Sequence, residues 1–146
     1  MTRGWRRPGP PSYGEAMQEI HPAAWIAPTA QLYGRVVVAE GASVWHNAVV
    51  RAECHDVRIG RMTNVQDFVM IHVAYERGTV VGEFCSVTHH VTLHGCTVED
   101  HSLIGIGAVV MDGAASGAAP SSRAGRSSRK ARSFRPARSS PGSPRR

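Results

Sequence analysis

The chain lacks any run approaching the roughly 20 apolar residues that a membrane-crossing helix requires, so its sequence offers no transmembrane span. Cysteine is scarce as well: Cys54, Cys85 and Cys96 are odd in number and lack metal-motif spacing. They suit buried or interfacial thiols in a reducing cytoplasm. No glycine-rich phosphate loop and no serine nucleophile elbow occurs, and the basic, Pro/Gly-rich stretch from Arg3 to Ser12 has no apolar signal region. Residues 115–146 contain no Val, Leu, Ile or Met and no acidic residue, yet carry nine cations, with arginines at every third position from Arg123 to Arg138. Such a segment cannot bury enough apolar surface to offset its ordering entropy, and disorder is expected. Those nine cations exceed the net charge of +6, so residues 1–114 are mildly acidic and the high pI is no sign of a nucleic-acid surface in the folded part. Nonspecific contact of the tail with RNA, DNA or anionic lipid is a secondary expectation.

What the chain does have is a beat of six. Ile26, Leu32, Val38, Val44 and Val50 keep it, as do Ile59, Val65 and Ile71, then Val81, Val87 and Leu93, and finally Val98, Ile104 and Val110. Neither a helix nor an alternating strand repeats this way. The period marks a hexapeptide β-helix, in which each unit forms one flat face and three units of about 18 residues close a triangular coil. Each aliphatic points into the prism and stacks on its equivalents above and below, making a columnar core. The beat is stretched between Val50 and Ile59 and between Ile71 and Val81, where corner loops are expected, and is one residue short between Leu93 and Val98. The organisation expected is a flexible start over 1–19, a repeat domain over 20–114 and a basic tail over 115–146. Where the beat calls for another aliphatic, Ser116 stands; the change reads as translation of a GC-rich gene in a shifted frame, with a genuine basic tail as the alternative.

Three histidines fall in register with this frame. His72 and His94 each follow an inward aliphatic, and they are separated by one coil plus the insertion after Ile71. They should stack on adjacent coils, about 4.8 Å apart, within reach of one ion at the roughly 2.0–2.1 Å typical of zinc–imidazole bonds. His89 follows Val87 by two and belongs to the preceding face, so a third ligand requires a neighbouring chain, and a three-fold assembly would give three equivalent sites. Three neutral imidazoles with an open position describe a catalytic zinc site, which lowers the pKa of bound water to about 7. His21, His46, His55, His90 and His101 read as surface or interface residues, with His90 a competitor for the role of His89.

The stretches Asn64-Val-Gln-Asp67, Ile71-His72 and Thr88-His-His-Val-Thr-Leu-His-Gly-Cys96, together with Ala23 to Ala30 and Ser43 to Arg51, closely resemble the γ-class carbonic anhydrases over roughly residues 20–114. The resemblance implies a left-handed parallel β-helix, all-β, assembled as a homotrimer. It implies zinc, or another divalent ion such as Fe2+ or Co2+, held by His72, His94 and, across the interface, His89. The reaction implied is hydration of carbon dioxide to bicarbonate by zinc hydroxide, with Gln66 orienting the hydroxide or substrate, Asn64 supporting the pocket, and Arg51 with Asp67 forming an interfacial ion pair. Partners of this kind fix the orientation of metal ligands. The chain departs from the pattern in placing Glu53 where an aspartate is usual and Phe68 and Thr88 where glycines are usual; Phe68 adds bulk near Gln66. The loop that carries a glutamate proton shuttle in archaeal members is shorter here, with Glu76 the nearby candidate. Relatives continue with further coils and a terminal helix, so an array ending near Val110 predicts marginal stability and compromised catalysis. Two other functions fit the frame: a hexapeptide acyltransferase or acyl-CoA thioesterase using a histidine as general base with coenzyme A between subunits, and a non-catalytic metal-binding trimeric scaffold.

Overall fold

A computed structural model describes residues 18–116. The N-terminal residues 1–17 and most of the basic segment expected to be disordered, 117–146, lie outside the described residues. Fourteen short strands follow one another, and every pairing between them is parallel. No helix occurs among the described residues, so none there is long and apolar enough to cross a membrane.

The strands wind into a left-handed parallel β-helix with three faces. One face stacks the first halves of β3 (Gln31–Val38) and β5 (Val49–Ile59) with β7 (Met70–His72), β10 (Thr92–His94) and β13 (Val109–Val110). The second stacks β1 (Glu19–Ile20), the second halves of β3 and β5, β8 (Thr79–Val81), β11 (Thr97–Val98) and β14 (Ala115–Ser116). The third stacks β2 (Trp25–Ile26), β4 (Ser43–Val44), β6 (Asn64–Val65), β9 (Ser86–Val87) and β12 (Leu103–Ile104).

Cross-strand register turns the beat of six into three core columns. Leu32, Val50, Ile71, Leu93 and Val110 pair in sequence on the first face, Ile20, Val38, Ile59, Val81 and Val98 on the second, and Ile26, Val44, Val65, Val87 and Ile104 on the third. Burial is complete in the middle coils, where Val44, Val50, Val65, Ile71, Val87 and Leu93 are 0 % exposed. It loosens at the ends, where Ile26 and Leu32 are only partly covered. Each buried aliphatic contributes roughly 1.5–3 kcal/mol. Among the described residues the second column runs on to Ser116, the register partner of Val98, two residues past position 114.

One corner differs from expectation. The stretch from Val50 to Ile59 is not a loop: β5 runs through it without interruption, and the extra residues form a bulge opposite the Gly34/Val36 register shift of β3. A bulge carries unpaired residues while the strand continues to pair on both sides, and this one displays Glu53 to Asp56. Gly34 makes it possible, because a Cβ there would lie 2.2 Å from the Ala52 carbonyl oxygen. The second insertion is a loop as expected, over residues 73–78.

Sharp corners recur three residues after inward aliphatics and need the left-handed backbone region. Asn47, Phe68, His90 and Gly107 take it along one edge, and Gly41, Met62, Phe84 and His101 along another. For residues with a side chain this costs about 1–2 kcal/mol. Stacking offsets part of the cost, since Phe68 lies flat on His90 at 5.0 Å and Phe84 on His101 at 5.1 Å.

Candidate metal centre

The first face carries an outward row that runs Tyr33, Arg51, His72, His94 in direct register. The alternation that sends Val50, Ile71 and Leu93 inward sends the next residue outward. The rings of His72 and His94 lie 5.0 Å apart at 60°. Both side chains are mostly covered, at 26 % and 29 % exposure.

Each of these histidines has a carboxylate on one ring nitrogen. His72 Nε2 lies 3.0 Å from Glu53 Oε2, and His94 Nδ1 lies 2.5 Å from Asp112 Oδ1. The β5 bulge brings Glu53 over the row, where Arg51 Nε also donates to it at 2.6 Å. Arg51 Nη2 stands 3.4 Å from His72 Nε2; with a carboxylate on that nitrogen the ring proton sits there, and the arginine is a neighbour rather than a donor. Burial would raise the Glu53 pKa, but bonds from its own backbone and from Arg51, with the charges of Arg51 and His72, hold the carboxyl below the usual glutamate range. The hydrogen bond to His94 likewise lowers Asp112. Burial pushes the nearby Cys96 thiol up to about 11, which leaves it a poor metal ligand at neutral pH.

His89 sits elsewhere, in the turn after β9 on the third face, with Nδ1 3.3 Å from Asp67 Oδ2. Asp67 and Arg51 are therefore on different faces of one chain, and each has a partner there. Gln66 and Asn64 line the same third face; Asn64 Oδ1 is buried without a hydrogen-bond partner. Phe68 stacks on His90 and is 53 % exposed. Glu76 is exposed in the 73–78 loop and lines a cleft of about 360 Å³ with Tyr75, Arg77 and Asp112, alongside the His94–Asp112 pair. His21, His46, His90 and His101 are exposed, whereas His55 is half-buried, 3.1 Å from the Tyr75 carbonyl.

Among the described residues of one chain, no group of three or more His, Cys, Asp or Glu converges to hold a metal ion. The chain brings together two imidazoles, both tethered by carboxylates, and that donor chemistry fits part of a zinc site. Sequence reasoning missed Asp112, although the signal was there: it stands 18 residues after His94, one coil further on. The Glu53–His72 contact was not readable, because it depends on the bulge.

No family model matches the chain. Over 96 residues it is 38 % identical to "Gamma carbonic anhydrase 1, mitochondrial" of Arabidopsis thaliana, a match covering 62 % of this chain and 35 % of that protein. Over 85 residues it is 36 % identical to a "Probable carbonic anhydrase" of Methanocaldococcus jannaschii, covering 58 % and 54 %. Among solved structures it is similar to a "hexapeptide transferase family protein" from Anaplasma phagocytophilum, with a TM-score of 0.54 and 26 % identity, covering 69 % of this chain and 74 % of the other. The chain thus spans from about a third to just over half the length of these curated relatives. Fold and repeat together define a hexapeptide-repeat β-helix protein. Within that class the repeat region is γ-carbonic-anhydrase-like.

Proposed function

We propose that this chain is a zinc-dependent, γ-carbonic-anhydrase-like enzyme that interconverts carbon dioxide and bicarbonate as a homotrimer. The observation that carries the reading is the His72–His94 pair, in register on adjacent coils with a carboxylate behind each ring. His72 and His94 would hold the ion from one chain, and His89 from the next. That division agrees with a chain which by itself gathers two imidazoles on one face and sets the third on another. Each of the three keeps one ring nitrogen for a carboxylate and has the other to offer. Fe2+ or Co2+ suits the same donors.

The ion, when bound, supplies a Lewis acid that makes water nucleophilic at neutral pH. The residues of the chain do the remainder. Glu53 and Asp112 orient the imidazoles and raise their basicity as donors. Gln66 and Asn64, on the face that would meet the neighbour's His72 and His94, would position substrate. Arg51 and Asp67 would pair across the same interface. Glu76, exposed beside the His94–Asp112 pair, can pass protons to solvent. The three cysteines are free thiols, which suits a reducing compartment; we place the protein in the cytoplasm.

The test combines metal content, oligomeric state and carbon dioxide hydration of the full chain. About one zinc per chain in a trimer, with hydration activity, supports the reading. The likeness to a hexapeptide transferase family protein favours one competitor: metal-independent acyl transfer from acetyl coenzyme A, without hydration, would establish that function instead. Stoichiometric zinc in a trimer without either activity would identify a metal-binding scaffold.

A further inference from the structure

Asp112 lies outside every residue assigned above from resemblance, yet it makes the shortest polar contact of the two histidines. It follows β13, which pairs with β10 one coil below, so its carboxylate reaches back to His94 at 2.5 Å. The site for it is built. Gly95, beside His94, has φ +54, and a Cβ on it would lie 3.1 Å from Asp112 Oδ1 and 2.4 Å from the Ala74 Cβ. The missing side chain is the space the carboxylate approaches through. The amide of Gly113 donates to the Gly95 carbonyl at 3.0 Å and pins the turn that carries Asp112, and Arg77 Nη1 lies 3.2 Å from where a Cβ on Gly113 would stand.

A carboxylate on Nδ1 accepts the ring proton there, which leaves the lone pair of the neutral imidazole on Nε2. We propose that Asp112 is a positioning residue that locks His94 in the Nδ1–H tautomer and so presents Nε2 as a metal donor, an inference that rests on the zinc-site reading. The neighbouring histidine is held the opposite way, since Glu53 takes Nε2 of His72. The row therefore specifies the two rings separately. In a merely structural ion pair on an exposed corner, the ring nitrogen engaged would have no consequence for metal binding.

Two measurements test this. First, long-range proton–nitrogen spectra of the metal-free, nitrogen-15-labelled chain should show neutral His94 protonated at Nδ1, and Asp112→Asn should shift it towards the Nε2–H form while backbone shifts elsewhere stay in place. Second, Co2+ and Zn2+ titration of the assembled protein should show affinity falling about 10- to 100-fold in Asp112→Asn, with partial recovery in Asp112→Glu. An unchanged His94 tautomer in Asp112→Asn overturns the proposal whatever the metal does. A tautomer shift with metal affinity unchanged overturns the donor role. If the wild type binds no metal but the tautomer shifts, the zinc reading fails and the tautomer lock stands.

Discussion

Glu53 offers a direct probe of the site in the absence of metal. Its side chain is 16 % exposed and accepts from Arg51 and His72, both of which are more open to solvent. Glu53→Gln keeps the shape and removes the charge. A hydrogen bond to a charged group contributes about 1.5–3 kcal/mol, but Arg51 is 45 % exposed and water screens its share. The loss expected at pH 7 is therefore about 1–2 kcal/mol, several degrees in Tm for a repeat domain of this size. The carboxyl titrates below its usual range in the folded chain, so on acidification the unfolded chain takes up this proton first. The stabilisation is complete above the unfolded glutamate pKa of about 4.3 and fades as pH falls through the lower folded value. Thermal unfolding of both proteins at fixed concentration from pH 7 to pH 3 measures the difference directly. Equal stability at pH 7, or a difference that widens on acidification, would refute the assignment of Glu53 as a charged partner of this row.

Several further outcomes are expected. His72→Ala and His94→Ala should each abolish zinc binding while retaining the β-sheet circular dichroism of the coils, and full metal in both variants would remove the site. His89→Ala should do the same to the metal; mixing His89→Ala chains with His72→Ala chains should restore at most a fraction of the sites if the ligand acts in trans, and none if it acts within one chain. Leu93→Ala, at a position with 0 % exposure in the first column, should cost about 2–5 kcal/mol in denaturant unfolding. Phe68→Gly should shift stability by less than about 1 kcal/mol, because the left-handed strain it relieves and the His90 stack it removes are of similar size.

The parts of the molecule legible in the sequence are those that repeat. An inward aliphatic at every sixth position fixes which side chains stack, so the three columns, and with them the adjacency of His72 and His94, follow from counting. Counting stops working where the number of residues in a corner leaves their pairing open. The eight residues between Val50 and Ile59 could have left the sheet as a loop; they stay in β5 as a bulge because Gly34 lets the Ala52 carbonyl approach. That choice turns Glu53 from a corner residue into the partner of His72. The αL corners were hidden for a related reason: Met62, Phe68 and Phe84 occupy a conformation for which their residue types give no signal. The aromatic ladders that offset this cost join residues a coil apart.

The column on the second face gives a last and sharper case. Ile20, Val38, Ile59, Val81 and Val98 follow one another in register, and the sixth place is held by Ser116. The backbone pairing of β14 with β11 therefore persists where the apolar side chain that usually accompanies it has gone. Parallel pairing by itself is weakly stabilising, since most of the stability of a repeat comes from the interface it buries against its neighbour. By that register, Ser116→Val should place an apolar residue in line with Val98 and stabilise the last described coil. The gain should be up to about 1.5 kcal/mol, the lower end for burying a valine. Amide hydrogen exchange reads this locally: protection of Val98 and Ala115 should rise about tenfold in Ser116→Val while that of Val65 and Ile71 stays constant. Were protection at Val98 unchanged, position 116 would not belong to the column, and the second face would end at β11.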